Sequence, residues 1–342
     1  MNFITHTNFF NFLDKLRSQY EVYVPTKKGN HRFYKKYTAL ADDIVVGEVR
    51  AFEPLKAFFT RAKEKVAEDF KDTIPHQEDK PFAVVGAKAC DLKGFQVQDH
   101  VFGQPGDEDP FYKKTREQNL IISADCTLVL ETCYCLALGV SPFPQECFDI
   151  NLSSGPEGFL VETGSLKGEE LVKANGSLFE TADSNLISQK EIKRKKIAEQ
   201  VENNIRENAV PGQDQFENII EKNYKSPLWE EEAKTCVECG ACNTVCPTCH
   251  CFLLSDQKND KHLMRYRSWD SCMLKDFARV AGGANPRERL WMRLRNRFEK
   301  KFDFFPKVAK IYACTGCGRC ISACPAKIDI RRVLKRLVGN GS

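Results

Sequence analysis

The chain has 342 residues and a mass of 39.0 kDa, enough for two domains with sizeable cores, and its 42% hydrophobic and 29% charged content describes a globular protein. No apolar run is long enough to span a bilayer, and the N-terminus, Met1-Asn-Phe-Ile-Thr-His, lacks the basic-then-apolar pattern of a secretion signal, so a cytoplasmic location is expected. A net charge of +4 is too small for this length to point to nucleic acid, and sixteen cysteines in such a chain point to metal ligation under reducing, anaerobic conditions rather than to a disulfide framework.

In chain order, apolar residues at Phe3, Phe9, Phe10, Phe12, Leu13 and Leu16 predict a short amphipathic helix within the first twenty or so positions. Glu21–Pro25 and Ile44–Val49 read as strands, and Glu53-Pro54-Leu55-Lys56 as the start of a helix running toward Phe70. Phe82–Gly86 and Leu120–Ala124 read as buried strands that each lead into a cysteine, with a helix over Asp91–His100 between them. Phe148–Leu152 and Gly158–Glu162 complete an α/β pattern. From Ser188 a charged helix is expected to about Asn208, with a solvated face, before Pro211-Gly212 breaks it and a second helix follows over Phe216–Asn223. The fold class expected is α+β. An N-terminal α/β domain (1–186) and a helical connector (187–225) precede a C-terminal α-helical, ferredoxin-like domain (226–342) with a long helical insertion (252–313).

That last domain is defined by two runs, Cys236-Val-Glu-Cys239-Gly-Ala-Cys242-Asn-Thr-Val-Cys246-Pro247 and Cys314-Thr-Gly-Cys317-Gly-Arg-Cys320-Ile-Ser-Ala-Cys324-Pro325. Both have the spacing C-x2-C-x2-C-x3-C-P, in which three thiolates face one [4Fe–4S] cluster and the fourth reaches a neighbouring one. The crossed assignment is Cys236, Cys239, Cys242 and Cys324 for one cluster, and Cys314, Cys317, Cys320 and Cys246 for the other. Gly240, Gly316 and Gly318 let the loops curl toward the sulfurs, and the prolines end them. Structural zinc uses paired ligands rather than this rhythm.

Cys90, Cys126, Cys133 and Cys135 follow strand ends, where ligands gather in α/β sheets, and read either as a third iron–sulfur site or as ordinary buried thiols. Cys147 fits no pattern. Cys249, Cys251 and Cys272 either pack around the first cluster or form a further site, with His250 and His262 as possible zinc ligands; packing is preferred. The basic helix Arg287–Lys301 reads equally as a surface helix with snorkelling arginines, or as positive charge that offsets the clusters and guides an acidic partner. Arg319 in the second run and Glu238 in the first suggest that the second cluster has the higher reduction potential.

Glu53-Pro54-Leu55-Lys56, Gly86-Ala-Lys-Ala-Cys90-Asp91, Asp109-Pro110-Phe-Tyr112, Glu131-Thr-Cys133-Tyr-Cys135, Cys246-Pro-Thr-Cys249-His-Cys251-Phe252, Trp269-Asp-Ser-Cys272-Met273 and both ferredoxin runs together resemble one family. It is the iron–sulfur electron-transfer family shared by anaerobic sulfite reductases and by sulfhydrogenase-type hydrogenases, in which it forms the beta subunit. His250 stands where that family carries an aromatic residue. The resemblance covers nearly the whole chain and implies a non-catalytic electron-transfer subunit. Its partners would be a subunit binding FAD and NAD(P) and a catalytic reductase or hydrogenase subunit. The alternative is a self-contained iron–sulfur reductase with an unrecognised flavin or substrate site, although no G-x-G-x-x-G or P-loop is present. A redox sensor reading nucleic acid through the basic helix is the third reading. The duplicated cluster motif makes it the weakest, because a sensor needs no such pair.

Overall fold

The computed structural model describes residues 1–72 and 80–339. Its larger sheet is built from β1 (Asn2–Thr5), β2 (Glu21–Lys28), β3 (His31–Lys36), the later strands β6 (Phe82–Ala87), β7 (Leu120–Ala124), β8 (Ile150–Ser154), β9 (Gly158–Thr163) and the short β10 (Glu180–Thr181). The order is β10-β1-β9-β8-β7-β6-β2-β3, with β2, β6, β7 and β8 parallel and the flanking pairs antiparallel. Runs such as Phe82–Ala87 and Leu120–Ala124 are apolar almost without interruption because helices cover both of their faces. A second sheet joins β4 (Lys63–Glu68) and β5 (Lys71–Asp72) to a hairpin of β11 (Phe252–Lys258) and β12 (Leu263–Trp269), in the order β11-β12-β4-β5.

Several helices start where local chemistry says they should. Thr5 accepts from Asn8 N at 3.2 Å ahead of helix His6–Leu16, and Asp109 accepts from Tyr112 N at 2.8 Å ahead of Pro110–Gln118, whose proline sits in the first turn. Asp183 likewise accepts from Asn185 N at 2.7 Å and opens the connector helix Ser184–Glu207. That helix is less solvated than its charge suggests. Lys190 is buried and donates to Glu162 at 3.0 Å, while Arg194 forks onto Asp125 and Glu162.

Three expectations about secondary structure fail. The helix after Pro54 spans only Lys56–Phe59, and Lys63–Glu68 is a strand. Its residues favour a helix locally, but pairing with β12 wins, assisted by a buried contact of Glu64 with Arg267. Ile44–Val49 forms no strand beyond one bridge to Thr26, and its Val46 carbonyl is taken by Lys88 Nζ at 2.9 Å. The insertion 252–313 is not wholly helical: it opens with the hairpin, and its helix Leu290–Glu299 continues through a π-helical turn, Lys300–Phe304.

The basic helix is not a surface helix either. Arg293, Arg295, Arg297 and Lys301 are buried along with Leu294, Phe298 and Phe302, which pack on Trp229, Phe216 and Leu334. The same core takes in Tyr134, Leu138 and Val140, so the cluster-run region and the sheet region share apolar packing. Among the described residues, no helix is long and apolar enough to cross a membrane.

Candidate metal centres

The two cysteine runs fold alike. Glu238 and Gly240 in the first, and Gly316 and Gly318 in the second, take positive φ, and short helices Ala241–Thr244 and Arg319–Ser322 follow. Cys236, Cys239, Cys242 and Cys324 line one cavity, walled by Met273, Leu294 and Ile330, with Cys320 and Arg297 also reaching it. Cys324 is close enough to Cys236 for their charges to interact, and Cys246 likewise interacts with Cys314 and Cys320. Each fourth cysteine therefore sits beside the other run's trio. Tyr134 Oη lies 3.3 Å from Cys314 Sγ.

Burial pushes Cys320 up to about 12, and Cys236, Cys242 and Cys314 in the same direction, whereas Cys246, hydrogen-bonded to Cys249 and close to Lys301, is held well below the ordinary thiol range. Thiols so disfavoured as free anions are suited to a cationic metal centre that takes them as thiolates. Single-ion sites do not describe them. Among the described residues, the only three-donor group with ligand atoms within 4.8 Å of one another is Glu68, Asp69 and His262, where His262 Nδ1 is hydrogen-bonded to Asp69 at 2.8 Å. The cysteines are spread more widely, which fits a multi-iron cluster better than tetrahedral zinc. His262 thus lies apart from His250, and no zinc site joins them. His250 packs between Phe102 and Phe305, and burial pulls its pKa down to about 4.

The buried cations are a feature that residue spacing conceals. Lys301 Nζ lies 3.4 Å from Cys246 Sγ, 3.7 Å from Cys249 Sγ and 3.0 Å from Thr248 Oγ1. Arg297 is buried and, among the described residues, its Nε has no hydrogen-bond partner. Burial works against its charge, but Cys242 and Cys320 more than offset that and hold its pKa well up. Arg319, by contrast, turns away: its guanidinium meets Asp91 at 2.7 Å and the Ala51 carbonyl at 2.9 Å. Glu238 is paired with Arg293 at 2.8 Å. The charges on which the expected difference in potential rested are thus both compensated locally.

Cys90, Cys126, Cys133 and Cys135 come together in a second cavity, which Cys317 and Gly316 also line. Cys90 is in the first turn of helix Ala89–Phe102 after β6, and Cys126 lies just past β7, so adjacent parallel strands deliver both at their C-terminal ends. Asn204 of the connector helix holds the loop that leads into the other two, donating to the carbonyls of Leu130 at 2.8 Å and Cys133 at 3.2 Å. Lys88 is buried beside the cavity and bonds to the carbonyls of Val46, Ala124 and Asp125. Burial pushes Cys126 up to about 11. Cys147 lies outside, in the apolar cluster around Phe95 and Tyr112.

The second ferredoxin loop is seated directly on this N-terminal group. Tyr134 N donates to the Gly316 carbonyl at 2.9 Å, and a Cβ on Gly316 would fall 2.5 Å from Cys135 Cα.

Residues 235–328 match the model of the 4Fe-4S dicluster domain. The chain is 30% identical over 333 residues to sulfhydrogenase 2 subunit beta of Pyrococcus furiosus, covering 96% of both chains. This protein therefore belongs to the iron–sulfur electron-transfer subunit family that includes the sulfhydrogenase beta subunit, with its dicluster domain at the C-terminal end.

Proposed function

We propose that the chain relays single electrons inside a cytoplasmic oxidoreductase complex, between a subunit binding FAD and NAD(P) and a catalytic reductase or hydrogenase subunit. Cys236, Cys239, Cys242 and Cys324 are assigned to one [4Fe–4S] cluster, and Cys314, Cys317, Cys320 and Cys246 to the second. Cys90, Cys126, Cys133 and Cys135 are assigned to a third iron–sulfur cluster. The clusters supply one-electron chemistry, and the chain supplies spacing, burial and charge.

The observation that carries this reading is the middle position of the second loop. Its Cys320 lines the first cavity and its Cys317 lines the N-terminal one, so the three groups form a row. The row has two outlets. Cys239 is exposed at one end beside Val237, and Leu128 is exposed at the mouth of the N-terminal cavity. Two outlets suit two partners.

Anaerobically purified protein should contain about twelve irons and matching acid-labile sulfide per chain, with interacting paramagnetic signals on reduction. A Cys133→Ser variant should hold about eight. About eight in the parent would remove the third cluster, and fewer than eight would remove the pair.

Arg297 supports the same row by lowering the cost of added negative charge. A unit charge about 8 Å away is worth roughly 2 kcal/mol at an effective dielectric constant of about 20, or roughly 90 mV for one electron. Arg297→Leu should lower the reduction potential of at least one dicluster centre by an amount of that order. Redox titration followed by electron paramagnetic resonance tests this, and unmoved potentials would assign Arg297 to packing alone.

A further inference from the structure

Three large apolar side chains stand exposed in a row on β11: Phe252 at 42%, Leu253 at 56% and Leu254 at 50%. Their strand is the outermost of the smaller sheet, pairing with β12 on one side and, among the described residues, with no strand on the other. Consecutive strand residues point to opposite faces, so the exposed edge is apolar on both. Edges are ordinarily blunted by charge, proline or a bulge, and none of these falls within Phe252–Ser255.

The register fixes which backbone groups are free. Asp270 N donates to the Cys251 carbonyl at 2.9 Å and Asn259 N to the His262 carbonyl at 3.1 Å, at the two ends of the β11–β12 ladder. Bonded pairs alternate with unbonded ones, so Leu253, Ser255 and Gln257 bond to β12, while the N–H and C=O groups of Phe252, Leu254, Asp256 and Lys258 point outward. Such an edge is a template for one more strand.

The side chains along the edge define that strand's chemistry. Phe252 and Leu254 are apolar, Asp256 is neutralised by Arg265 at 2.7 Å, and Lys258 is exposed with no carboxylate partner among the described residues. The complement therefore has apolar residues at one end and a carboxylate at the other. A second copy of this chain does not supply it. About a two-fold axis, the full-length register sets Phe252 against Lys258 and Leu254 against Asp256, and the register that opposes Phe252 to Leu254 leaves Lys258 beyond the other copy's strand. The root of the hairpin is fixed near the first cluster run. The Cys251 and Cys272 thiols are within hydrogen-bonding reach of each other, and a Cβ on Gly240, the residue after the exposed Cys239, would lie 3.2 Å from Ser271 Cβ.

We propose that the outer edge of β11 takes an extended strand from another subunit of the complex and holds that subunit beside the Cys239 outlet, an inference that rests on the relay reading above. The strand carries bulky apolar residues opposite Phe252 and Leu254 and an acidic residue opposite Lys258.

Hydrogen exchange followed by mass spectrometry, comparing the native complex with the chain separated from its partners under anaerobic conditions, is the test. The outward amides of Phe252–Lys258 should exchange at least about tenfold more slowly in the complex, while Leu263–Trp269, already paired on both sides, should change far less. Leu254→Pro removes one outward donor and no bond to β12. It should keep the parent iron content and retain at least about tenfold less partner subunit, whereas Leu254→Ile should bind as the parent does. Leu166→Lys, at a still more exposed apolar site on a helix, is the control and should leave binding unchanged. Edge amides that exchange alike in the complex and in the separated chain would overturn the proposal. So would protection that grows with the concentration of the separated chain, which would make the occupant a second copy. A chain that leaves its native cells with no partner subunit would instead remove the reading of a relay inside a complex.

Discussion

Replacing Asp91 with alanine should destabilise the protein by about 3–5 kcal/mol, because it leaves Arg319 charged and unpaired in a fully buried site. Both side chains of this pair have 0% exposure. Asp91 Oδ1 also accepts from Leu55 N at 3.0 Å, while Arg319 reaches the carbonyls of Ala51 and Glu53. The pair thus ties the second cluster loop to the segment before Lys56 and to the helix that carries Cys90. For a chain of this size the loss corresponds to a fall in melting temperature on the order of 10 °C, read by calorimetry under anaerobic conditions. The double variant Asp91→Leu/Arg319→Met should recover most of it, since removing both charges removes the unpaired one. A single Asp91→Ala variant that melts with the parent would show that water or a counter-ion reaches Arg319.

The second large effect is expected at Gly318. Its φ is +69°, and a Cβ there would lie 2.1 Å from the Thr132 carbonyl oxygen, a backbone atom that cannot swing aside. Gly318→Ala therefore adds the cost of left-handed backbone, roughly 1–2 kcal/mol, to an overpacking cost of about 1–3 kcal/mol. The second ferredoxin loop should lift away from Thr132–Cys135. The measurement is thiol labelling of Cys133 and Cys135 together with thermal unfolding. Gly106→Ala is the control, since Gly106 also has positive φ (+92°) but nothing within 4 Å of its Cβ position. Equal effects at the two glycines would mean that backbone strain alone matters, and that the loop does not press on Thr132.

These effects arise at contacts between residues far apart in the chain, and the same distinction separates what is legible along the chain from what is not. The cluster runs are legible because ligand spacing is a local property: three thiols two residues apart, then a proline, need no knowledge of the rest of the chain. The buried strands Phe82–Ala87 and Leu120–Ala124 are legible for a similar reason, as short apolar runs ending at cysteines. Lys63–Glu68 is not. Its helical propensity is a local preference, outvoted by pairing with a hairpin some two hundred positions later.

The basic helix shows the limit most clearly. Arginines alternating with apolar residues look solvated in one dimension, and only tertiary packing turns Arg297 and Lys301 inward onto cysteines while closing Arg319 onto Asp91. Residue order alone shows the duplicated cysteine spacing, which is a local pattern. Packing in three dimensions decides which charges face the sulfurs, that four scattered cysteines share one cavity, and that Cys251 meets Cys272. Spacing is written along the chain, whereas desolvation and charge pairing exist only between segments that folding brings together.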